Sequence, residues 1–175
     1  MVLYTDGGCS GNGKAKNTGG FGVVVIDETT DKLVFAYSKL CENTTNNREE
    51  IKAILYSLLK FGYSDETPTV YSDSNYCVQT FNEWMFNWAR NGWIKSDKKT
   101  PENLDLIKTY YDYLQNGYKI NLKKVKGHNG NKWNELADKL ATGKITVSQA
   151  YEMNGLKVPI DQKQIEEYYK GENNG

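Results

Sequence analysis

The chain has no net charge to advertise a partner: Lys and Arg together number 22, and so do Asp and Glu. Bulk charge therefore does not single out nucleic acid, and any basic surface has to be local. No apolar run approaches the length of a membrane span, and no charged-then-apolar leader opens the chain. The cysteines are only three, Cys9, Cys41 and Cys77. An odd number without metal-ligand spacing argues against a disulfide framework or a zinc site and for reduced thiols in the cytoplasm. There is one histidine, His128, and no internal repeat. What is left, at 175 residues, is a soluble globular chain with room for a real core.

A short apolar run at the start ends on a carboxylate, Asp6, and a glycine-rich stretch follows at once: Gly7, Gly8, Gly11, Gly13. An acid at the end of a buried strand is costly unless something meets it, and glycines beside it allow backbone to come close to a ligand. The pattern predicts strands over Val2 to Asp6, Gly20 to Ile26 and Lys32 to Ser38, with a turn at Asp27 to Asp31, so that the chain opens as an antiparallel meander. Asn46 with Glu49 resembles a helix-capping pair, and Ile51, Ile54, Leu55 and Leu58 recur at helical spacing up to Gly62. Thr69 to Asp73 reads as a strand that also ends on an acid. A second helix places Cys77, Phe81, Trp84, Met85 and Trp88 on one face. Thr100-Pro101 sets the start of a third, with Leu104, Ile107, Tyr111 and Leu114 inward. Tyr118 to Val125 is a strand, and Trp133, Leu136, Ala137, Leu140 and Ala141 mark a further helix. Beyond Gly143 the pattern weakens. Asp161 is placed as the cap of a last short helix holding Ile165, Tyr168 and Tyr169, and the residues from Gly171 look frayed. Strands that return through helices run parallel to the first, so the fold class is α/β with a mixed sheet.

Ligands in open α/β sheets sit beyond the carboxyl ends of strands. Asp6 and Asp73 occupy such ends and stand side by side if their strands are parallel neighbours. Glu49 and Glu50 both fall in the first turn of their helix, and Glu50 can border the same cleft. Asp138 lies one turn after Asn134. Singly, each acid has a plainer reading: a turn acid at a strand end, a charge favoured at a helix start, a solvated helix residue. Together they would repel one another without cations. Oxygen-only ligation suits Mg²⁺ or Mn²⁺, and two such ions about 4 Å apart serve phosphodiester cleavage.

Thr5-Asp6-Gly7-Gly8, Thr44-Thr45-Asn46-Asn47-Arg48-Glu49-Glu50, Tyr71-Ser72-Asp73-Ser74-Asn75-Tyr76, Val125-Lys126-Gly127-His128 and Asn134-Glu135-Leu136-Ala137-Asp138 resemble the motifs of type 1 ribonuclease H, in that family's order. The resemblance covers Met1 to Thr142. It implies a ribonuclease H-like fold: a mixed five-stranded sheet, its first three strands an antiparallel meander, flanked by helices. It also implies an endonuclease that hydrolyses the RNA strand of RNA–DNA hybrids by a two-metal-ion mechanism, leaving 5′-phosphate and 3′-hydroxyl ends. The implied metal ligands are Asp6, Glu50, Asp73 and Asp138, holding two Mg²⁺ ions for which Mn²⁺ can substitute. Glu50 takes the glutamate position over Glu49 because it follows Asn-Asn-Arg by one residue. His128 is implied to assist proton transfer or product release, for which an unperturbed pKa of about 6.5 is suited.

The substrate differs from duplex DNA by its 2′-hydroxyls, which polar side chains can read in a minor groove. The resemblance assigns Asn12, Asn46 and Asn75 to such contacts, with backbone approach at Gly7 and Cys9. It assigns Thr45 and Asn87 to a phosphate of the DNA strand, and Trp93, Lys95, Lys98 and Lys99 to a basic protrusion against that strand. Ala89, Asn91, Ile94 and Asp97 make this protrusion less basic than in some relatives. Trp84 and Trp88 read as core. The expected organisation is a catalytic domain over 1–143 and an extension over 144–175 packed on it, acting as a monomer in the cytoplasm on RNA–DNA hybrid, with no membrane partner. A chain that opens directly at the catalytic strand and has a short tail favours a free-standing enzyme over a domain of a reverse transcriptase. Two rivals are a hybrid-binding module that no longer cleaves and another nuclease on the same sheet. The four acids argue against the first; the asparagine motifs and Lys126-Gly127-His128 argue against the second.

Overall fold

A computed structural model describes residues 1–11, 17–125, 130–164 and 166. Five strands, β1 (Val2–Ser10), β2 (Thr18–Asp27), β3 (Lys32–Glu42), β4 (Thr69–Ser72) and β5 (Asn121–Lys124), form one sheet in the order β3-β2-β1-β4-β5. The first three make the antiparallel meander, and β4 and β5 run parallel to β1 and β4. The helices are α1 (Asn46–Phe61), α2 (Asn75–Gln79), α3 (Met85–Arg90), α4 (Leu104–Gln115), α5 (Lys132–Ala141) and α6 (Val147–Met153), with a π-helical turn, Thr80–Trp84, between α2 and α3.

Strand alternation sorts the apolar residues into two cores, one on each face of the sheet. Leu3, Val23, Val25, Val70 and Leu122 meet Ile51, Ile54, Leu58, Phe81, Met85 and Ile107 on the α1 side. Val2, Val24, Ile26 and Leu33 meet Trp133, Leu136 and Leu140 of α5 on the other. Val147, Ala150 and Tyr151 of α6, with Val158, extend this second core, and the Ala36 N–H donates to the Tyr151 hydroxyl at 3.1 Å.

Several boundaries differ from the sequence reading. β1 continues through Gly7 and Gly8 to Ser10, because the backbone of β2 pairs with it that far. The cap of α1 is Thr45, which accepts from the Arg48 N–H at 3.1 Å, one residue earlier than Asn46. α4 begins at Leu104 rather than at Pro101, behind Asn103 in a left-handed conformation with φ 58°. Its fully buried residues are Ile107 and Tyr110; the expected Tyr111 and Leu114 pack against the same core, partly buried, and Tyr110, not expected inward, stacks on Phe81 with centroids 4.1 Å apart. β5 is limited to four residues by the length of its partner β4. α6 is an element that the pattern did not predict. A Thr146–Gln149 capping box starts it. The chain is helical again over 160–164, one residue ahead of the expected cap at Asp161. The stripe of Ile165, Tyr168 and Tyr169 and the end from Gly171 lie outside the described residues.

Candidate active site

Strand pairing places the first two acids. Asp6 stands opposite Gly22 of β2. The parallel register that pairs Tyr4 with Tyr71 continues two residues later to Asp6 beside Asp73. The Thr5 hydroxyl donates to the Tyr71 carbonyl at 2.8 Å, and the Tyr4 and Tyr71 rings stack with centroids 5.2 Å apart, so these two strand ends are held in register.

Two glycines bring the acid-bearing helices in. A Cβ on Gly7 would lie 2.3 Å from the Glu49 carbonyl carbon and 2.4 Å from the Glu50 nitrogen. Only glycine lets the first turn of α1 rest on β1 this closely. A Cβ on Gly22 would lie 2.5 Å from the Ala137 oxygen. α5 therefore touches β2 directly opposite Asp6, and the next residue on α5 is Asp138.

The result is that Asp6, Glu50 and Asp73 each offer a carboxylate oxygen, all within 4.8 Å of one another. Asp6 and Glu50 are buried and Asp73 is half-buried. Asp138 is exposed and stands outside this trio, yet near enough for its charge to act on Asp6. Burial, followed by the Asp73 charge, raises Asp6 from the ordinary carboxylate range to about 7, against hydrogen bonds from Glu50 and Gly7 that lower it. The Gly7 N–H donates to Asp6 Oδ1 at 2.9 Å. Glu50 is pushed far above the carboxylate range, first by burial and then by the Asp6 and Asp73 charges. Without metal these effects favour the protonated form of Glu50 beside Asp6. Glu50 Oε2 is buried with no hydrogen-bond partner among the described residues. A shielded cluster that can relieve its repulsion only by taking up protons is suited to a divalent cation, and three carboxylates with no nitrogen or sulfur donor suit a hard one. Glu49, the competing glutamate, turns inward: it is fully buried and lies 3.1 Å from the Lys52 ammonium.

The neighbouring polar residues gather at the same end of the sheet. Asn46, first residue of α1, accepts from the Cys9 N–H through Oδ1 at 2.7 Å, and the Cys9 thiol donates to the Thr44 carbonyl at 3.4 Å. Thr45 caps the same helix and is exposed. Asn75 opens α2, exposed, behind the Ser74 cap. Asn87 is not part of this group. It lies twelve residues further along the helical run, roughly 18 Å at the helical rise, where it accepts from Arg90 at 3.2 Å. Trp93 is half-buried with φ 65°. Its ring meets Tyr111 edge-on at 5.2 Å, so much of its surface is committed to packing. Lys98 and Lys99 are exposed, whereas Lys95 is half-buried and 3.8 Å from Asp97. Trp88 packs against the α1-side core, but Trp84 stays half-buried at the surface with its ring 6.3 Å from that of Trp88. Asn12 and His128 lie outside the described residues.

The sequence reading assigned no role to the junction of α1 with α4. Arg48 forms a two-pronged bond to Asp105, at 3.1 and 2.7 Å, and reaches Asn103 Oδ1 at 3.4 Å. The signal available was Arg48 itself, inside the Asn-Asn-Arg motif; its partner, 57 residues away, was not legible.

The sequence model described as RNase H matches residues 1–146. A "Ribonuclease H" of Thermoanaerobacter sp. (strain X514) is 41% identical over 146 residues, covering 83% of this chain and 89% of that protein. The solution structure of the PFV RNase H domain superimposes with a TM-score of 0.71 at 27% identity, covering 81% of this chain and 92% of that one. LC11-RNase H1, crystallised in complex with RNA/DNA hybrid, shares the fold with a TM-score of 0.58 at 22% identity, covering 85% of this chain and 97% of its own.

Proposed function

The chain belongs to the RNase H family and is a ribonuclease H enzyme, and we propose that it cuts the RNA strand of RNA–DNA hybrids endonucleolytically, leaving 5′-phosphate and 3′-hydroxyl ends. The observation that carries this reading is the trio of Asp6, Glu50 and Asp73, with ligand oxygens within 4.8 Å of one another at the shared end of two parallel strands. These three, with Asp138 approaching from α5, would hold two Mg²⁺ ions, or Mn²⁺ in their place. Bound there, such ions supply an activated water and stabilise the leaving oxygen in phosphodiester hydrolysis.

The chain's own groups do the remainder. Glu50 gives up its proton as it takes its place as a ligand, so ligation is linked to proton release. The Gly7 N–H holds the Asp6 carboxylate in one orientation. Asn46 and Asn75 present amides at the starts of α1 and α2, where a hybrid's minor groove can be read at its 2′-hydroxyls. The Cys9 N–H fixes the orientation of the Asn46 amide. Gly7 and Cys9 let the backbone approach the RNA, and Asn12 adds a third amide. Thr45 holds a DNA-strand phosphate, as the resemblance also assigns to Asn87. Trp93, Lys95, Lys98 and Lys99 engage the DNA strand further out. His128 assists proton movement or product release.

The catalytic unit spans 1–143, and the extension after it is anchored through Val147, Ala150, Tyr151 and Val158. We place the enzyme in the cytoplasm as a monomer: its three cysteines are unbridged, which fits a reducing compartment, and among the described residues no helix is long and apolar enough to cross a membrane.

The test is an end-labelled RNA–DNA hybrid, a DNA duplex and an RNA duplex, each with Mg²⁺, Mn²⁺ or chelator. Cleavage confined to the RNA of the hybrid, absent in chelator, is the expected result. Cleavage of duplex DNA would favour the other-nuclease reading, and hybrid binding without cleavage the non-catalytic one.

A further inference from the structure

The segment between α3 and α4, residues 91–103, carries Lys95, Lys98 and Lys99, and it is built to hold a shape. Gly92, Trp93, Lys98 and Asn103 all have positive φ, a conformation that L side chains other than Asn and Asp rarely adopt. Internal bonds close the turn: Lys95 N–H to the Lys99 carbonyl at 2.9 Å and Lys98 N–H to the Lys95 carbonyl at 3.0 Å. Two anchors join this shape to the body. One is Trp93, whose ring meets Tyr111 of α4, whose N–H bonds the Trp88 carbonyl of α3 at 2.6 Å, and which packs against the α1-side core. The other is ionic, and it reaches the catalytic helix. Arg48, two residues before Glu50, grips Asp105 with both prongs and touches Asn103, at the point where the lysine segment re-enters the fold. The helix start bearing Asn46 thus reaches the foot of the lysine segment.

We infer that Arg48 is a positioning residue: through Asp105 and Asn103 it fixes the lysine segment relative to the acid trio, so that hybrid held by the lysines lies with its RNA strand over Asp6, Glu50 and Asp73. This rests on the ribonuclease H reading above. Global stability is not the main role of the pair. Asp105 is largely exposed, and such ion pairs contribute little to folding. What a two-pronged guanidinium–carboxylate bond supplies is direction. Two patches on one rigid surface bind a single duplex as linked sites, and loosening their connection lowers the effective concentration of the second patch once the first is engaged.

The experiment uses two hybrids. One has the minimal length that wild type cleaves; the other is long enough to span acids and lysines together. Arg48→Ala and Asp105→Ala should each raise KM for the long hybrid roughly tenfold with kcat nearly unchanged, and should cleave the short hybrid like wild type. The double variant should be no worse than either single one. Lys98→Ala, which raises KM in the wild-type background, should have much less effect in the Arg48→Ala background, because the coupling it depends on is already gone. Equal loss on short and long hybrids, additive effects of Lys98→Ala and Arg48→Ala, or an unchanged KM would overturn the inference. Melting temperature, recorded alongside, identifies a variant that has simply unfolded; in that case Arg48→Lys, which keeps the charge but loses the fork, should still raise KM for the long hybrid, and wild-type KM there would overturn the inference. Failure of wild type to cut either hybrid would instead sink the ribonuclease H reading.

Discussion

Gly7 and Glu50 meet backbone to backbone: a Cβ on Gly7 would stand 2.4 Å from the Glu50 nitrogen. This close approach sets where α1 begins relative to the end of β1, and so sets the gap between the Glu50 and Asp6 carboxyls. The missing side chain of Gly7 is the room that the start of α1 occupies.

Gly7→Ala should therefore damage both stability and activity. The clash is with backbone, which has no rotamer to move aside, so the cost should be at or above the roughly 1–3 kcal/mol typical of overpacking. Chemical denaturation measures the first effect and hybrid cleavage below the transition the second. Wild-type stability in Gly7→Ala would show that α1 can retreat without loss.

Truncation after Gly143 should lower the melting temperature without changing specific activity measured well below it. The cut removes Val147, Ala150, Tyr151 and Val158 from the second core and the Tyr151–Ala36 hydrogen bond. Val and Tyr side chains buried in this way contribute about 1.5–3 kcal/mol each, and Ala150 less, so the loss should be several kcal/mol. A truncated chain that melts like the full one would mean that this extension does not stabilise the domain.

What the sequence displayed and what it hid follow a physical division. Asp6 and Asp73 were legible because strand ends and their acids are local features, and the five-motif pattern singled out Glu50 over Glu49. In the structure Glu50 stands with Asp6 and Asp73, while Glu49 turns inward to Lys52. The start of α4 was misplaced because Pro101 is a good first helical residue, while the real start depends on Asn103 and Asp105 being gripped by Arg48. The π-helical turn goes with a distant contact, the Asn82 amide donating to the Leu122 carbonyl at 2.9 Å. α6 offered only a short apolar stripe, whose partner β3 lies a hundred residues earlier, although its Thr146–Gln149 capping box was readable.

Replacing Lys95, Lys98 and Lys99 with alanine should raise KM for hybrid and flatten its dependence on salt, with kcat little changed. Each phosphate that is no longer neutralised should reduce the log–log slope by roughly 0.9. Lys98 and Lys99 should account for most of the change, since Lys95 is already turned to Asp97. An unaltered slope would make the segment a solvated turn with no part in binding.

Asp6→Asn should stabilise the metal-free protein near pH 7. The Asp6 carboxyl is raised to about 7 in the folded state, so between its unfolded value, about 4, and 7 the folded form binds more protons than the unfolded one. Stability from this group is fully present below the unfolded value and is lost as pH rises to the folded one, levelling off above it. The substitution removes that loss. In chelator the variant should exceed wild type by on the order of 1 kcal/mol or more near pH 7, and the gap should shrink near pH 3. Mg²⁺ should raise the wild-type melting point through preferential binding to the folded form, and raise that of Asp6→Asn less. A variant that melts lower in chelator and responds to Mg²⁺ like wild type would mean that the acids do not share one metal site.

The most direct measurement of the central claim pairs cleavage with binding for Asp6→Asn on one preparation. Labelled RNA–DNA hybrid is incubated with wild type or variant in Mg²⁺ for cleavage and run in a gel-shift titration for affinity. If Asp6 belongs to the metal-holding trio and binding rests on the amides and lysines around it, the variant loses cleavage and keeps hybrid affinity close to wild type. Cleavage retained by the variant, or affinity lost in parallel with cleavage, would contradict the account.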